Sequence, residues 1–190
     1  MADAPPVYAA LVHHPVRSRE GTAITSAITN VDVHDIARSA CTYGLSGYFV
    51  VSPIAAQRIL VDRILEHWRE GAGARRVPER TQALANVEPL ENIAVACARI
   101  TERHGVPPRV VVTEARPELG LPSRSYADVR AALAAGPPAL ILFGTAHGLH
   151  ESVLRTADLV IEPIHGRGGY NHLSVRAAAA ITFDRLFGPR

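Results

Sequence analysis

Lysine is missing from this chain: all 20 basic residues are arginines. Without it there is no Walker-type phosphate loop, no pyridoxal Schiff base and no lysine nucleophile. Cysteine is scarce. Cys41 and Cys97 stand far apart with no Cys-x-x-Cys spacing, so neither a zinc knuckle nor a redox motif is written, and two reduced, buried thiols are expected. No apolar run approaches the roughly 18 residues of a membrane span, and Met1-Ala-Asp-Ala-Pro-Pro lacks a charged leader. The expectation is a cytoplasmic protein with no membrane partner. A formal charge of +2 is too small to announce nucleic acid by itself. Histidines are plentiful near the end, but His147, His150, His165 and His172 fit no zinc-site spacing, so no metal is expected. Internal repeats and low-complexity tracts are lacking too.

What remains is 190 residues, 47% of them apolar, enough for one α/β domain over residues 1–190 with a real core. Apolar runs of strand length alternate with helical patterns, the signature of a mostly parallel sheet with helices on both faces. Strands are expected at Val7–Val12, Gly47–Val51, Arg109–Thr113, 139–143 and 159–164. Helices are expected at 31–43, closed by Gly44, and at 54–69, opened by Ser52 as cap and Pro53 in the first turn. In the second, Ile54, Ile59, Leu60, Ile64 and Trp68 read as the apolar stripe. Further helices are expected at 90–103, from Ser125 to Ala134 with capping-box spacing to Asp128, at 149–155 and at 171–187. Residues 71–86 read as one long irregular stretch, holding Arg75, Arg76 and Arg80 as possible RNA-phosphate contacts or as plain solvated charge.

In an open parallel sheet, ligands collect outside the carboxyl ends of the strands. Three such ends look equipped: Thr113-Glu114-Ala115, Gly144 to Gly148, and Glu162 to Tyr170. The last is the most informative, because a buried strand there passes through Gly166-Arg167-Gly168-Gly169 into a long Ala-rich helix. Such a turn lets backbone approach a ligand closely and aims unpaired N–H groups at it. A dinucleotide fold would instead carry its glycine turn on the first strand, with an acidic residue about 20 positions on.

These residues also carry a resemblance. Ile161-Glu-Pro-Ile-His-Gly-Arg-Gly-Gly-Tyr-Asn-His-Leu-Ser-Val-Arg-Ala-Ala-Ala-Ala-Ile looks like the last motif of the SPOUT RNA methyltransferases. Leu140-Ile-Leu-Phe-Gly-Thr-Ala-His-Gly-Leu resembles the preceding motif of that superfamily. Asn30-Val-Asp-Val-His-Asp-Ile-Ala-Arg38 is similar to the Asn and Arg motif of its ribose 2′-O branch. The resemblance implies a C-terminal trefoil knot, an exception among folds, wrapped around S-adenosylmethionine (SAM). It implies that Phe143, Gly144, Thr145, Gly148, Ile161, Ile164, Gly166, Leu173 and Ser174 border the methyl donor, with Thr113 and Glu114 as a side wall. It implies Arg38 nearest the transferred methyl, Asn30 and Asn171 as orienting groups, a homodimer paired through the Ala177–Ala180 region, and tRNA or ribosomal RNA as substrate. The ribose-modifying branch carries a glutamate where this chain has Ala146 and His147, and no aspartate clearly takes the part it plays in the guanine-modifying branch. The target atom and proton acceptor therefore stay open. The missing glutamate keeps one rival in play, a non-catalytic nucleotide- or RNA-binding module on the same architecture.

Overall fold

The computed structural model describes residues 4–113 and 120–189. In chain order the elements are β1 (Val7–Val12), β2 (Val16–Arg17), β3 (Ala23–Ile24), α1 (Asn30–Thr42), β4 (Gly47–Val51), α2 (Ala55–Arg69), α3 (Ala72–Arg76) and α4 (Pro78–Leu84). There follow β5 (Val87–Leu90), α5 (Ile93–His104), β6 (Arg109–Thr113), α6 (Tyr126–Ala134), β7 (Ala139–Gly144), α7 (Glu151–Leu154), β8 (Leu159–Ile161) and α8 (Val175–Phe187). Six strands form one wholly parallel sheet in the order β5-β4-β1-β7-β6-β8, while β2 and β3 make a small antiparallel ribbon.

The central strand explains why its sequence is apolar without alternation. Val7, Ala9 and Leu11 enter one core, with Ile36 of α1, Leu65 of α2, Val129 of α6 and Phe183 of α8. Tyr8, Ala10 and Val12 enter the other, with Ile100 of α5 and Val153 of α7. Both faces of the sheet are thus covered, and every residue of β1 is buried. From β1 the chain runs outward through β4 and β5, then crosses to build β6, β7 and β8 on the opposite flank. The carboxyl ends of β1 and β7 therefore bound the crevice where the strand order switches direction.

Strand β8 is held on both edges. Thr113 of β6 pairs with Ile161 on one side, and Arg124, just before α6, bridges to Ile161 on the other. Two backbone hydrogen bonds make that second contact, Arg124 N to Val160 O (2.8 Å) and Glu162 N to Arg124 O (2.9 Å). The connection that leaves β6 thus ends on the far flank of β8.

Several expectations need correction. Ser52 does not cap α2: its Oγ accepts from Ile54 N (3.3 Å) in the lead-in, and the helix starts at Ala55 with no side-chain cap. The buried stripe of α2 is Val61, Ile64, Leu65 and Trp68, which keeps the i, i+3, i+4, i+7 spacing, whereas Ile54, Ile59 and Leu60 fall off it and are exposed. Residues 71–86 are not irregular, since α3 and α4 occupy them, with Pro78 in the first turn of α4. Arg80 lies over the Trp68 ring, 4.7 Å from its centroid, while Arg75 and Arg76 end α3 exposed. The helix expected at 90–103 is α5, starting at Ile93, and just before it stands a sixth strand, β5, that was not expected. Glu88 and Pro89 hide its pattern, and proline is tolerated because β5 pairs on one edge only. Helix α8 starts at Val175 rather than 171, with Ser174 as its cap. Cys41 is exposed and Cys97 half-buried, so the expected pair of buried thiols is wrong.

Phe183 anchors α8 to the sheet, fully buried and edge-on to Phe143 at 5.5 Å between ring centroids. Phe183→Ala is expected to cost about 3–5 kcal/mol, read as a fall in the urea midpoint. A loss below about 1 kcal/mol would show that α8 is not tied to the core this way.

Candidate active site

The carboxyl ends of β6, β7 and β8 and the lead-in to α1 open into one cavity of about 520 Å³. That is within the range of small-molecule sites, about 300–1,000 Å³. Its floor is the turn after β7. Thr145 N reaches back to Val12 O (3.3 Å) and Gly148 N closes on Thr145 O (2.9 Å). The turn has no room for a side chain at its first residue: a Cβ on Gly144 would sit 2.3 Å from Leu149 N and 2.6 Å from Gly148 C. Gly148 has φ +99°, and Ala146, at φ +52°, is the non-glycine residue held in left-handed backbone among the described residues. Such strain costs about 1–3 kcal/mol and collects where a site needs a fixed backbone.

The C-terminal segment makes the second wall with Glu162, Ile164, Asn171, His172, Leu173 and Ser174. Ser174 Oγ accepts from Ala177 N (3.3 Å), which fixes where α8 begins. A third wall comes from the lead-in to α1, namely Ser26, Ala27, Thr29 and Asp32. Thr29 caps that helix, and its Oγ1 donates to Asp32 Oδ2 at 2.5 Å. Arg176 of α8 donates to Asp32 Oδ1 (3.1 Å) and lies 3.6 Å from Asp35, joining the second wall to the third.

A hydrogen-bond chain runs under the floor. Thr145 Oγ1 donates to Val12 O (3.1 Å), so Ser26 Oγ is left to donate to Thr145 (2.5 Å), and His13 Nδ1 to donate to Ser26 (2.9 Å). Only this direction supplies a proton to all three contacts, and it assigns the Nδ1–H tautomer to His13. His13 is fully buried and its Nε2 has no partner among the described residues. Burial drives the imidazole from its ordinary 6.5 down to about 4, against a smaller upward pull from Asp32. The Asp32 charge also adds to burial in raising the Tyr48 hydroxyl well above its usual range.

Of the residues expected at the cofactor, Thr113, Phe143, Gly144, Thr145, Gly148, Ile164, Leu173 and Ser174 line the cavity, as does Asn171. Ile161 is fully buried in the core at the end of β8. Gly166 lines a second cavity of about 300 Å³ that shares Ile164, Asn171, His172 and Leu173 with the first. Glu114 lies outside the described residues. Asn30 and Arg38 are exposed on α1 and do not line the cavity, and Arg38 Nη1 is 3.9 Å from Asp35. Sequence reasoning passed over His13, Ser26, Asp32, Glu162 and Arg176. One signal was available: Thr29-x-x-Asp32 has the same capping spacing as Ser125-x-x-Asp128.

Residues 6–188 match the model of a family described as SAM-dependent RNA methyltransferase. A relative from Nitratidesulfovibrio vulgaris, named tRNA (guanine-N(1)-)-methyltransferase, is 45% identical over 182 residues, covering 96% of this chain and 42% of that protein. The chain thus spans about 42% of the length of the curated relatives of that name. Among solved structures, an A. aeolicus TrmH/SpoU tRNA modifying enzyme superposes with a TM-score of 0.55 at 16% identity, over 96% of this chain and 73% of that one. An AdoMet-bound rRNA methyltransferase from Sinorhizobium meliloti gives 0.57 at 15% identity, over 97% and 56%. The architecture is the SPOUT type that the last motif led us to expect.

The His13 shift fixes a pH dependence. Between pH 6.5 and about 4 the unfolded chain binds a proton that the folded chain refuses. Stability contributed by the neutral buried imidazole is complete above pH 6.5 and lost as pH falls toward 4. Wild type is expected to lose about 2–3 kcal/mol more than His13→Gln between pH 7 and pH 4.5 in urea melts. Parallel losses would contradict it. Gly144→Ala is expected to lower stability by about 1–3 kcal/mol through overpacking of the turn, measured by the same melts, and an unchanged midpoint would argue against the close approach.

Proposed function

The chain belongs to the SAM-dependent RNA methyltransferase family, and from that membership we propose that it methylates a nucleotide of tRNA or ribosomal RNA, using SAM held in the cavity above β1 and β7. One observation carries this reading: the end of β6, the turn after β7, the segment after β8 and the lead-in to α1 converge on a single nucleoside-sized space. The residues present fit the cofactor. Gly144 packs so closely on the backbone of Gly148 and Leu149 that only glycine fits, which holds the turn compact beside the cavity that it lines. Phe143, Ile164 and Leu173 supply apolar contact, while backbone groups of the turn and of residues 171–174 stand ready for the adenine and amino acid moieties. Thr113, Gly148, Thr145 and Ser174 complete the proposed cofactor set within the cavity. Ile161 supports it from the core, Gly166 belongs to its rim, and Glu114 is retained on the resemblance alone.

When bound, SAM supplies an electrophilic methyl on a sulfonium. The protein's work is to hold an acceptor in line with it and remove a proton. Arg38 serves as the residue that forks onto a phosphate and stabilises charge at the acceptor, with Asn30 and Asn171 orienting the nucleotide. Arg38 and Asn30 share the exposed rim of α1, outside the cavity, where a large substrate has access. A homodimer through α8 is part of the proposal, since its alanine run permits a close helix contact. So is a trefoil knot, supported by the position of β8 between β6 and the Arg124 segment. No helix among the described residues is long and apolar enough to cross a membrane, and we place the protein in the cytoplasm, where its RNA would be found.

Tritium from methyl-labelled SAM is expected to enter bulk tRNA or ribosomal RNA. Arg38→Ala should cut incorporation roughly a hundredfold with SAM affinity unchanged in calorimetry. Failure of the wild type to label either RNA pool, despite binding SAM, would sink the methyltransferase assignment.

A further inference from the structure

The charges around the cavity point to a task beyond holding the donor. Among the described residues, its lining carries two carboxylates, Asp32 and Glu162, and one guanidinium, Arg176. That guanidinium does not belong to Asp32 alone, because it is divided between Asp32 at 3.1 Å and Asp35 at 3.6 Å. Asp35 and its other partner, Arg38, are far more exposed than Asp32, so solvent screens them strongly. Asp32 is almost wholly buried, and a charge in such a place acts over a longer distance. Its field already registers on His13 beneath the floor and on Tyr48 behind it. The cavity is therefore net anionic.

The two ligands that must exchange here differ in charge. SAM bears a sulfonium and an ammonium against one carboxylate and is a net cation. S-adenosylhomocysteine (SAH), the product, has lost the sulfonium charge and is neutral overall. We propose that Asp32 is a specificity-determining residue that makes this cavity prefer the charged donor over its neutral product, so that spent cofactor leaves readily. Thr29 and Arg176 hold the carboxylate in place without cancelling it. The inference rests on the cofactor assignment above, and it concerns which state of that cofactor the site favours.

Calorimetric titration of the whole chain with SAM and with SAH at pH 8, where an ordinary imidazole is neutral, separates the possibilities. Wild type is expected to bind SAM roughly tenfold more tightly than SAH. Asp32→Asn should weaken SAM about tenfold and leave SAH within about twofold, and Asp32→Glu should restore the preference. Equal loss of both ligands in Asp32→Asn, or wild-type affinity for SAH equal to or above that for SAM, would overturn the proposal. Asp32 also helps cap α1, so thermal melts must show the variant folded. Should it not fold, the wild type alone decides through sinefungin, in which an amine keeps the positive charge. Binding like SAM supports the proposal, and binding like SAH overturns it. If the wild type binds none of the three, the cofactor assignment itself falls, an outcome distinct from equal binding of all.

Discussion

The site depends on β8 being gripped from both sides. With only three residues, β8 has little pairing of its own, yet Thr113 holds one edge at Ile161 and Arg124 holds the other. That double grip fixes where residues 162–174 emerge, and α8 then returns across the sheet to bury Phe183 against Phe143. A strand pinned at its end and a helix pinned at its middle leave the intervening loop to pass over the crevice beside β1. The cavity is what this constraint encloses.

A second layer of control is polar. The turn after β7 is strained at Ala146, and a backbone held that way persists only where its surroundings over-determine it. Here the surroundings are the His13–Ser26–Thr145 chain, which ties the turn to the end of β1, and the Arg176–Asp32 pair, which ties α8 to α1. Both links join segments more than 100 residues apart in sequence. The walls are therefore set against one another by directional contacts, while apolar packing on the two sheet faces supplies the bulk of the stability.

The sheet was largely legible because its strands are buried on both faces and read as unbroken apolar runs. Val7–Val12, Gly47–Val51 and Arg109–Thr113 lie where the pattern put them. The last motif was legible for a different reason: strand, glycine turn and capped helix each leave a local signature. Illegible were features decided by distant partners. The edge strand β5 is spelled Val-Glu-Pro-Leu, and it makes sense only once Glu88 is seen pairing with Arg99 and Arg103 of α5. The apolar face of α2 could not be phased while five candidates competed for it. Most telling is the loop after β1. Its His13 and Ser26 carry no motif, and they become part of the site only because the strand order reverses beside β1, which no local pattern announces.

Hydrogen exchange of the whole chain, with and without saturating SAM, tests the central claim most directly. A cavity closed by the C-terminal turn over two neighbouring strand ends predicts that added ligand slows exchange together in residues 144–149, 171–178 and 26–32, and leaves the β5 edge and α5 unchanged. Protection confined to one of those segments, or located on the far side of the sheet, would contradict it.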